Sequence, residues 1–159
     1  MDPKPIKRSE TIVKFSREHH FSLLFSWKIR QGLKKNIQAS RLLQYVHYFE
    51  NAYLRPHFLE EEEVLFAPMQ DEMVQRALKD HQWVYGQLQE LYQVPEENAA
   101  EALTAFVDKL DEHVRYEERE LFPHLEKTLS EQQLEEIGRK LNTADADPLK
   151  DEYEDEFWK

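Results

Sequence analysis

Apolar residues recur along this chain every three or four positions, and no stretch alternates like a strand. From about Ser9 to Leu33 the line runs Ile12, Phe15, His19, Leu23, then Leu33 and Ile37, which is one face of a 3.6-residue repeat. Gly32 and Asn36 mark where this helix weakens or stops. A second line, Leu42, Val46, Phe49, Tyr53, His57, Glu61 and Val64, starts near Asn36 to Ser40 and reaches Phe66. Pro56 is expected to kink it, and Pro68 marks its exit. The third covers about Asp71 to Tyr92 with Val74, Leu78, His81, Val84 or Tyr85, Leu88 and Leu91, and Val94-Pro95 ends it. The fourth, about Glu96 to Leu121, carries Leu103, Phe106, Leu110, His113, Glu117 and Leu121. Ser130 and Gln133 have the form of a capping box for a short fifth helix burying Leu134, Ile137 and Leu141. Four long amphipathic segments with short links predict an all-α chain, an antiparallel four-helix bundle with a short extra C-terminal helix. Residues 1–8, with two prolines, read as a flexible leader, 9–141 as the bundle and 142–159 as an acidic tail. Phe157 and Trp158, in that tail, are placed either docked on the bundle or frayed.

Composition narrows the classes. A net charge of −11 disfavours nucleic acid and anionic membranes as partners, since both need a basic face. With no cysteine, the chain has no disulfide, thiolate metal site, iron–sulfur cluster or cysteine nucleophile. No signal-type apolar segment follows the first residues and no run approaches membrane-spanning length, so a soluble cytoplasmic protein is the expectation. The surplus acid gathers at Glu60 to Glu63 and from Asp145 to Glu156. Such runs read first as solvated surface.

The polar residues that matter lie on the apolar lines. His113 and Glu117 continue the stripe of the fourth helix, His57 and Glu61 that of the second, and His81 that of the third. Residues four apart differ by about 40° around a helix, so each His and its Glu point the same way. An ionised carboxylate in a core costs several kcal/mol unless a partner compensates. A bound cation is such a partner, and imidazole with carboxylate is a normal transition-metal ligand set.

The pattern is also duplicated. HFLEEEEVLF from His57 and HVRYEERELF from His113 both read His, three residues, Glu-Glu, two residues, Leu-Phe, with a proline close behind. A lone histidine precedes each pair, His19 by 38 positions and His81 by 32. Two matching halves suit a two-metal site with bridging carboxylates near a pseudo-two-fold axis. Six protein ligands do not saturate two six-coordinate ions, which leaves room for a small exogenous ligand.

These residues resemble the hemerythrin-like HHE cation-binding domains: HH at 19–20, HFLEE from His57, His81 in KDHQWV and HVRYEERELFP from His113. The resemblance extends over about residues 10–128. It implies a non-haem di-iron centre in a four-helix bundle, used to bind or sense dioxygen or nitric oxide, or to handle iron and peroxide. It also implies a ligand set of His19 or His20, His57, Glu61, His81, His113 and Glu117, with the two glutamates bridging. His19 lies on the Ile12–Phe15–Leu23 line with Ser22 and Ser26 beyond it, while His20 lies above Leu23, Leu24 and Trp27. Both are candidates. Oxygen-carrying relatives place a second histidine four before the third-helix one, and here that position is Ala77. The departure speaks against simple oxygen transport. Manganese and other divalent cations use the same donors.

The remaining candidates have plainer readings. His47 is expected at the surface and His124 at a helix end. Glu60, Glu62, Glu63, Glu118 and Glu120 are expected to be solvated neighbours, with Glu60 or Glu118 substituting as ligand if the register is off by one. Tyr45, Tyr53 and Tyr116 are placed near the site as packing residues. A ferritin-type oxidase needs Glu-x-x-His, and no histidine here has a glutamate three before it. HExxH, phosphate loops and G-x-S-x-G are also absent. Two alternatives to a binding or sensing protein stand: a di-iron enzyme of peroxidase or ferroxidase type, and a metal-free helical interaction module.

Overall fold

The computed structural model describes residues 10–143 and 151–159. The expected leader, and the tail between 144 and 150, lie outside the described residues. Helix α1 (Glu10–Lys34) is the first rod of a four-rod bundle. The second rod joins α2 (Ala39–Phe49) to α3 (Arg55–Glu60) through a π-helical turn, Glu50–Leu54, and ends in another, Glu61–Leu65. The third is α4 (Glu72–Leu91). The fourth is α5 (Glu96–Tyr116), a π turn Glu117–Leu121, and α6 (Phe122–Thr128). Helix α7 (Glu131–Thr143) closes one end, where Thr11 donates to the Leu134 carbonyl at 3.1 Å. Among the described residues there is no strand, and no helix is long and apolar enough to cross a membrane.

Local chemistry sets the ends. Helix α1 passes Gly32 and stops where Asn36 turns left-handed at φ 56°, with Ile37 N–H closing on the Gly32 carbonyl at 2.9 Å. That six-to-one bond is a Schellman cap. Gly32 is required for packing, because a Cβ there would run into Leu42 and the Phe157 ring. Asp71 caps α4 by accepting from Val74 N–H at 3.0 Å. Ser130 and Gln133 exchange side chain-to-backbone bonds of 2.9 and 3.1 Å, the expected capping box.

Pro68 and Pro95 lie at rod ends as expected, but Pro56 and Pro123 do not end theirs. Pro56 and Pro123 each fall at the second residue of the α segment that follows a π turn. A π turn already abandons the i→i−4 bonding that proline cannot make, so the rod continues through it. The fourth rod accordingly runs to Thr128, beyond the expected end at Leu121. The extra residue of a π turn also rotates the positions beyond it, so Leu65 and Phe66 are fully buried and Val64 is only partly so.

Neighbouring rods are antiparallel. On α1, His19 meets Glu117 and Glu118 while Arg30 meets Asp108 and Asp111. Two apolar clusters fill the bundle, one holding Phe25, Phe49, Phe58 and Phe106, the other Ile12, Phe15, Phe66 and Phe122. Between them lies a polar layer. Helix α1 reaches it through His19, Ser22 and Ser26, all buried. Leu23, expected on that line, is 44% exposed, because the core phase advances by three from His19 rather than by four.

Residues 151–159 dock as a strap beside α1 and α2. Tyr153, Asp155 and Phe157 turn inward while Glu152, Glu154 and Glu156 stay exposed. Lys28 and the Tyr45 hydroxyl both bond Asp151, Arg41 holds Asp155 through two bonds, and Lys28 sits 3.9 Å over the Trp158 ring. The docked alternative is the one this segment adopts. Its acids 151 and 155 are therefore paired rather than freely solvated.

Candidate metal centre

Each rod carries one histidine into the polar layer. His19, His57, His81 and His113 are at most 3% exposed, and Glu61 and Glu117 are fully buried. Donor atoms of His19, His57, Glu61 and Glu117 lie within 4.8 Å of one another, and so do those of Glu61, His81, His113 and Glu117. The two sets share both glutamates. His20 is exposed and outside the layer, so of the two adjacent histidines only His19 enters it.

Distances across the cage are those of donors arranged around a common ion. Glu61 Oε1 is 3.4 Å from His57 Nε2 and 3.3 Å from His81 Nε2, and Glu117 Oε1 is 3.3 Å from His113 Nε2 and 2.9 Å from His19 Nε2. Two ligands at right angles on one ion, with bonds of about 2.1 Å, stand about 3 Å apart. The Nε2 atoms of His57, His81 and His113, both Glu61 oxygens and Glu117 Oε2 are buried without any hydrogen-bond partner. Orphaned polar atoms converging on one point need a partner, and a cation supplies it. The residues fit a metal pair.

The other ring nitrogen of every histidine is held by a carboxylate. His19 Nδ1 donates to Glu118 at 3.0 Å, His57 Nδ1 to Glu18 at 2.8 Å, His81 Nδ1 to Glu62 at 3.0 Å and His113 Nδ1 to Asp80 at 3.0 Å. An ionised carboxylate only accepts, so the proton sits on Nδ1 and the Nε2 lone pair faces the cage. The arrangement is two-fold. The acid just before each lone histidine (Glu18, Asp80) serves the paired histidine that comes later in the chain, and the acid just after each shared glutamate (Glu62, Glu118) serves a lone one. Sequence reasoning missed Glu18 and Asp80 and took Glu62 and Glu118 for solvated neighbours. The signal was an acid–His pair at 18–19 and again at 80–81.

Without metal, protons fill the cage. Burial alone lowers the pKa of His57, but the Glu61 charge and the Glu18 hydrogen bond outweigh it and push it up to about 10. For His113, burial is likewise overcome by the Glu117 charge and the Asp80 bond, again to about 10. Burial opposes the charged form of His19 and His81 as well, yet Glu117 and Glu118 for the first, and Glu61 and Glu62 for the second, raise both. Burial would raise Glu117, and the facing His113 and His19 hold it well below the usual carboxylate range.

The other candidates lie elsewhere. His47 is exposed, and His124 meets Asp71 at 2.6 Å. Glu60 pairs with Lys14, while Glu63 and Glu120 are exposed. Tyr53 stacks on His57 with ring centroids 5.1 Å apart, as expected of a neighbour. Tyr45 instead serves the strap, and Tyr116 donates to the Met73 carbonyl at 2.7 Å. Both shared glutamates open a π turn, a feature frequent at functional sites.

Comparison with curated proteins and with solved structures returned no match. The sequence pattern of the hemerythrin HHE cation-binding domain matches residues 12–125, most of the chain and all of the cage, and the protein belongs to that family.

Proposed function

We propose that the protein carries a non-haem di-iron centre that binds or senses a small diatomic ligand, dioxygen or nitric oxide, or handles iron. One iron would be held by His19 and His57 and the other by His81 and His113, with Glu61 and Glu117 bridging. The observation that carries this reading is the pair of two-histidine sets sharing two fully buried carboxylates. When bound, the iron pair supplies exchangeable electrons and a coordination position that six protein ligands leave open.

The chain's own residues do the rest. Glu18, Glu62, Glu118 and Asp80 fix the ring orientations and hold the neutral ring's proton on Nδ1, so that Nε2 is the nitrogen that would meet the metal. Phe58, stacked on His81 at 3.8 Å, and Phe122, stacked on His19 at 5.3 Å, keep water from the ligands. Ala77 fills the place of the extra histidine found in oxygen carriers, which favours sensing or iron handling over transport.

The test is metal analysis of protein purified without chelator, with absorption spectra before and after air. About two irons per chain and a band that changes with air support the reading. A protein that takes up no iron and gains no thermal stability from it overturns it.

A further inference from the structure

Aromatic rings form an unbroken line from the cage to the strap. Tyr53 stacks on His57 with centroids 5.1 Å apart, Phe49 lies 4.9 Å from Tyr53, and Phe25 stacks on Phe49 at 3.9 Å. Tyr45 follows at 5.5 Å, and Tyr153 of the strap lies 4.9 Å beyond it. Cores stack rings for packing alone. What sets this line apart is the chemistry of its ends: one is a histidine of the cage, the other a pair of neighbouring phenols.

The rings differ in how readily they give up an electron. Phenylalanine holds its electrons and serves only as a bridge. A phenol releases one where its proton can leave at the same time, because a neutral radical then remains. The Tyr53 hydroxyl is buried without a hydrogen-bond partner, so oxidation there would leave a charged ring in the core. The Tyr45 hydroxyl donates to Asp151. Burial would raise the Asp151 pKa, and the Lys28 and Tyr45 bonds hold it below its ordinary value, so an ionised acceptor is in place. Trp158 also lies 5.7 Å from Tyr45, but the Lys28 ammonium 3.9 Å over its ring opposes a second cation there. A shorter line leaves His81 through Phe58 to Tyr85, at 3.8 and 5.7 Å. It stops beneath the Arg55 guanidinium, 4.9 Å over the Tyr85 ring, and among the described residues no ring contact joins Tyr85 to a second tyrosine.

We propose that the line from His57 to Tyr45 carries oxidising equivalents out of the cage, and that Tyr45 and Tyr153 take them up by forming a covalent dityrosine bond between bundle and strap. The proposal rests on the metal reading above, with hydrogen peroxide as the oxidant. Reduction of one peroxide to two waters breaks its O–O bond and consumes two electrons and two protons. Tyr45 and Tyr153 each supply one electron and one hydroxyl proton, that of Tyr45 through Asp151 and that of half-buried Tyr153 through solvent. The two phenoxyl radicals join by a carbon–carbon bond between ring positions next to the oxygens. The hydrogens on those two carbons then move to the oxygens and restore the hydroxyls. Two tyrosines and one peroxide thus become one dityrosine and two waters. The cage histidines are spared oxidation, and the strap becomes permanently docked.

The test is hydrogen peroxide added to iron-loaded protein, followed by dityrosine fluorescence and mass spectrometry of the joined peptides. The parent is expected to give a product linking 45 to 153, lighter by two hydrogens than the separate peptides. Tyr45→Phe and Tyr153→Phe should lack it, Tyr53→Phe at full iron content should give several-fold less, and Tyr85→Phe should match the parent. Chelated protein should form no link with peroxide. Chelated protein treated with a photogenerated ruthenium oxidant should form it, since the pair itself needs no metal. Tyr48, 5.0 Å from Tyr153, is the competing partner. Full iron loading without the 45–153 product, a link to Tyr48 in its place, equal yields from chelated and loaded protein, or no link with the ruthenium oxidant each overturn the proposal and leave the metal reading standing. Failure of the parent to load iron, measured before peroxide is added, overturns both.

Discussion

Glu118 accepts the Nδ1 proton of His19 at 3.0 Å across the seam between the first and fourth rods, and Asp80 does the same for His113 from α4. These bonds fix the tautomer that points Nε2 inward, and they make the imidazole a better donor. Asp80→Asn and Glu118→Gln are each expected to weaken metal binding about 10- to 100-fold, while Glu63→Gln, an exposed acid in the same kind of run, leaves affinity unaltered. A competition titration against a chelator of known affinity reads the difference. Equal constants in all three variants would show the outer carboxylates to be idle.

The metal-free cage makes stability pH-dependent in a defined direction. The histidine pKa values are raised in the folded state, to about 10 for His57 and His113. Their stabilisation is fully present below the unfolded value near 6.5 and is lost as pH rises through the folded value. Glu117 has the opposite sign: its contribution holds above the ordinary carboxylate value and disappears as pH falls through its depressed one. The urea midpoint of chelated protein should therefore drop between pH 7 and pH 10. In loaded protein the histidines have already given up their cage-facing protons, and the midpoint should change less over that range. A chelated protein whose midpoint is flat or rises across it would contradict the proton-filled cage.

Metal loading itself should be visible as stability. A ligand present at about 1,000 times its dissociation constant contributes about 4 kcal/mol. For a domain of this size that is on the order of 10 °C in the melting temperature. Calorimetry with and without iron measures it directly, and an unchanged melting temperature would mean that iron does not bind the folded cage.

The rods were legible because amphipathic periodicity survives any detail of packing. His57, Glu61, His81, His113 and Glu117 were legible because polar residues continued an apolar stripe. Three things escaped. Leu23 was placed on the core line along with Ser22, since hydrophobicity ranks Leu as a core residue, whereas Ser22 is buried and Leu23 is 44% exposed. The π turns at Glu61 and Glu117 are backbone hydrogen-bonding events with no side-chain periodicity of their own, so Val64 was placed where Leu65 and Phe66 go. The outer carboxylates were hidden inside acidic runs, where Glu62 and Glu118 look no different from exposed Glu63 and Glu120.

Phe157 anchors the strap, 3% exposed against Gly32 and Tyr45. Burying such a ring is worth about 2 kcal/mol. Phe157→Ala is expected to release the strap at a cost capped by its docking energy, because a terminal segment can detach without unfolding the bundle. Limited proteolysis should then cut within 151–159 faster, while iron content stays at the parent level. Loss of iron in this variant would mean that strap and cage are coupled.

The adjacent histidines give the sharpest local contrast. His19 is buried among Glu61, Glu117, Glu118 and the Phe122 ring, and His20 faces solvent one residue later. Side chains one apart on a helix diverge by about 100°, so one cannot replace the other without turning the rod. His20→Ala should leave iron content unaltered and stability within about 0.5 kcal/mol of the parent. His19→Ala removes one of the two histidines on its metal and strips Glu118 of its bond, so iron content should fall by half or more. If instead His20→Ala lost the iron and His19→Ala kept it, the first rod would have to sit a residue out of its present phase.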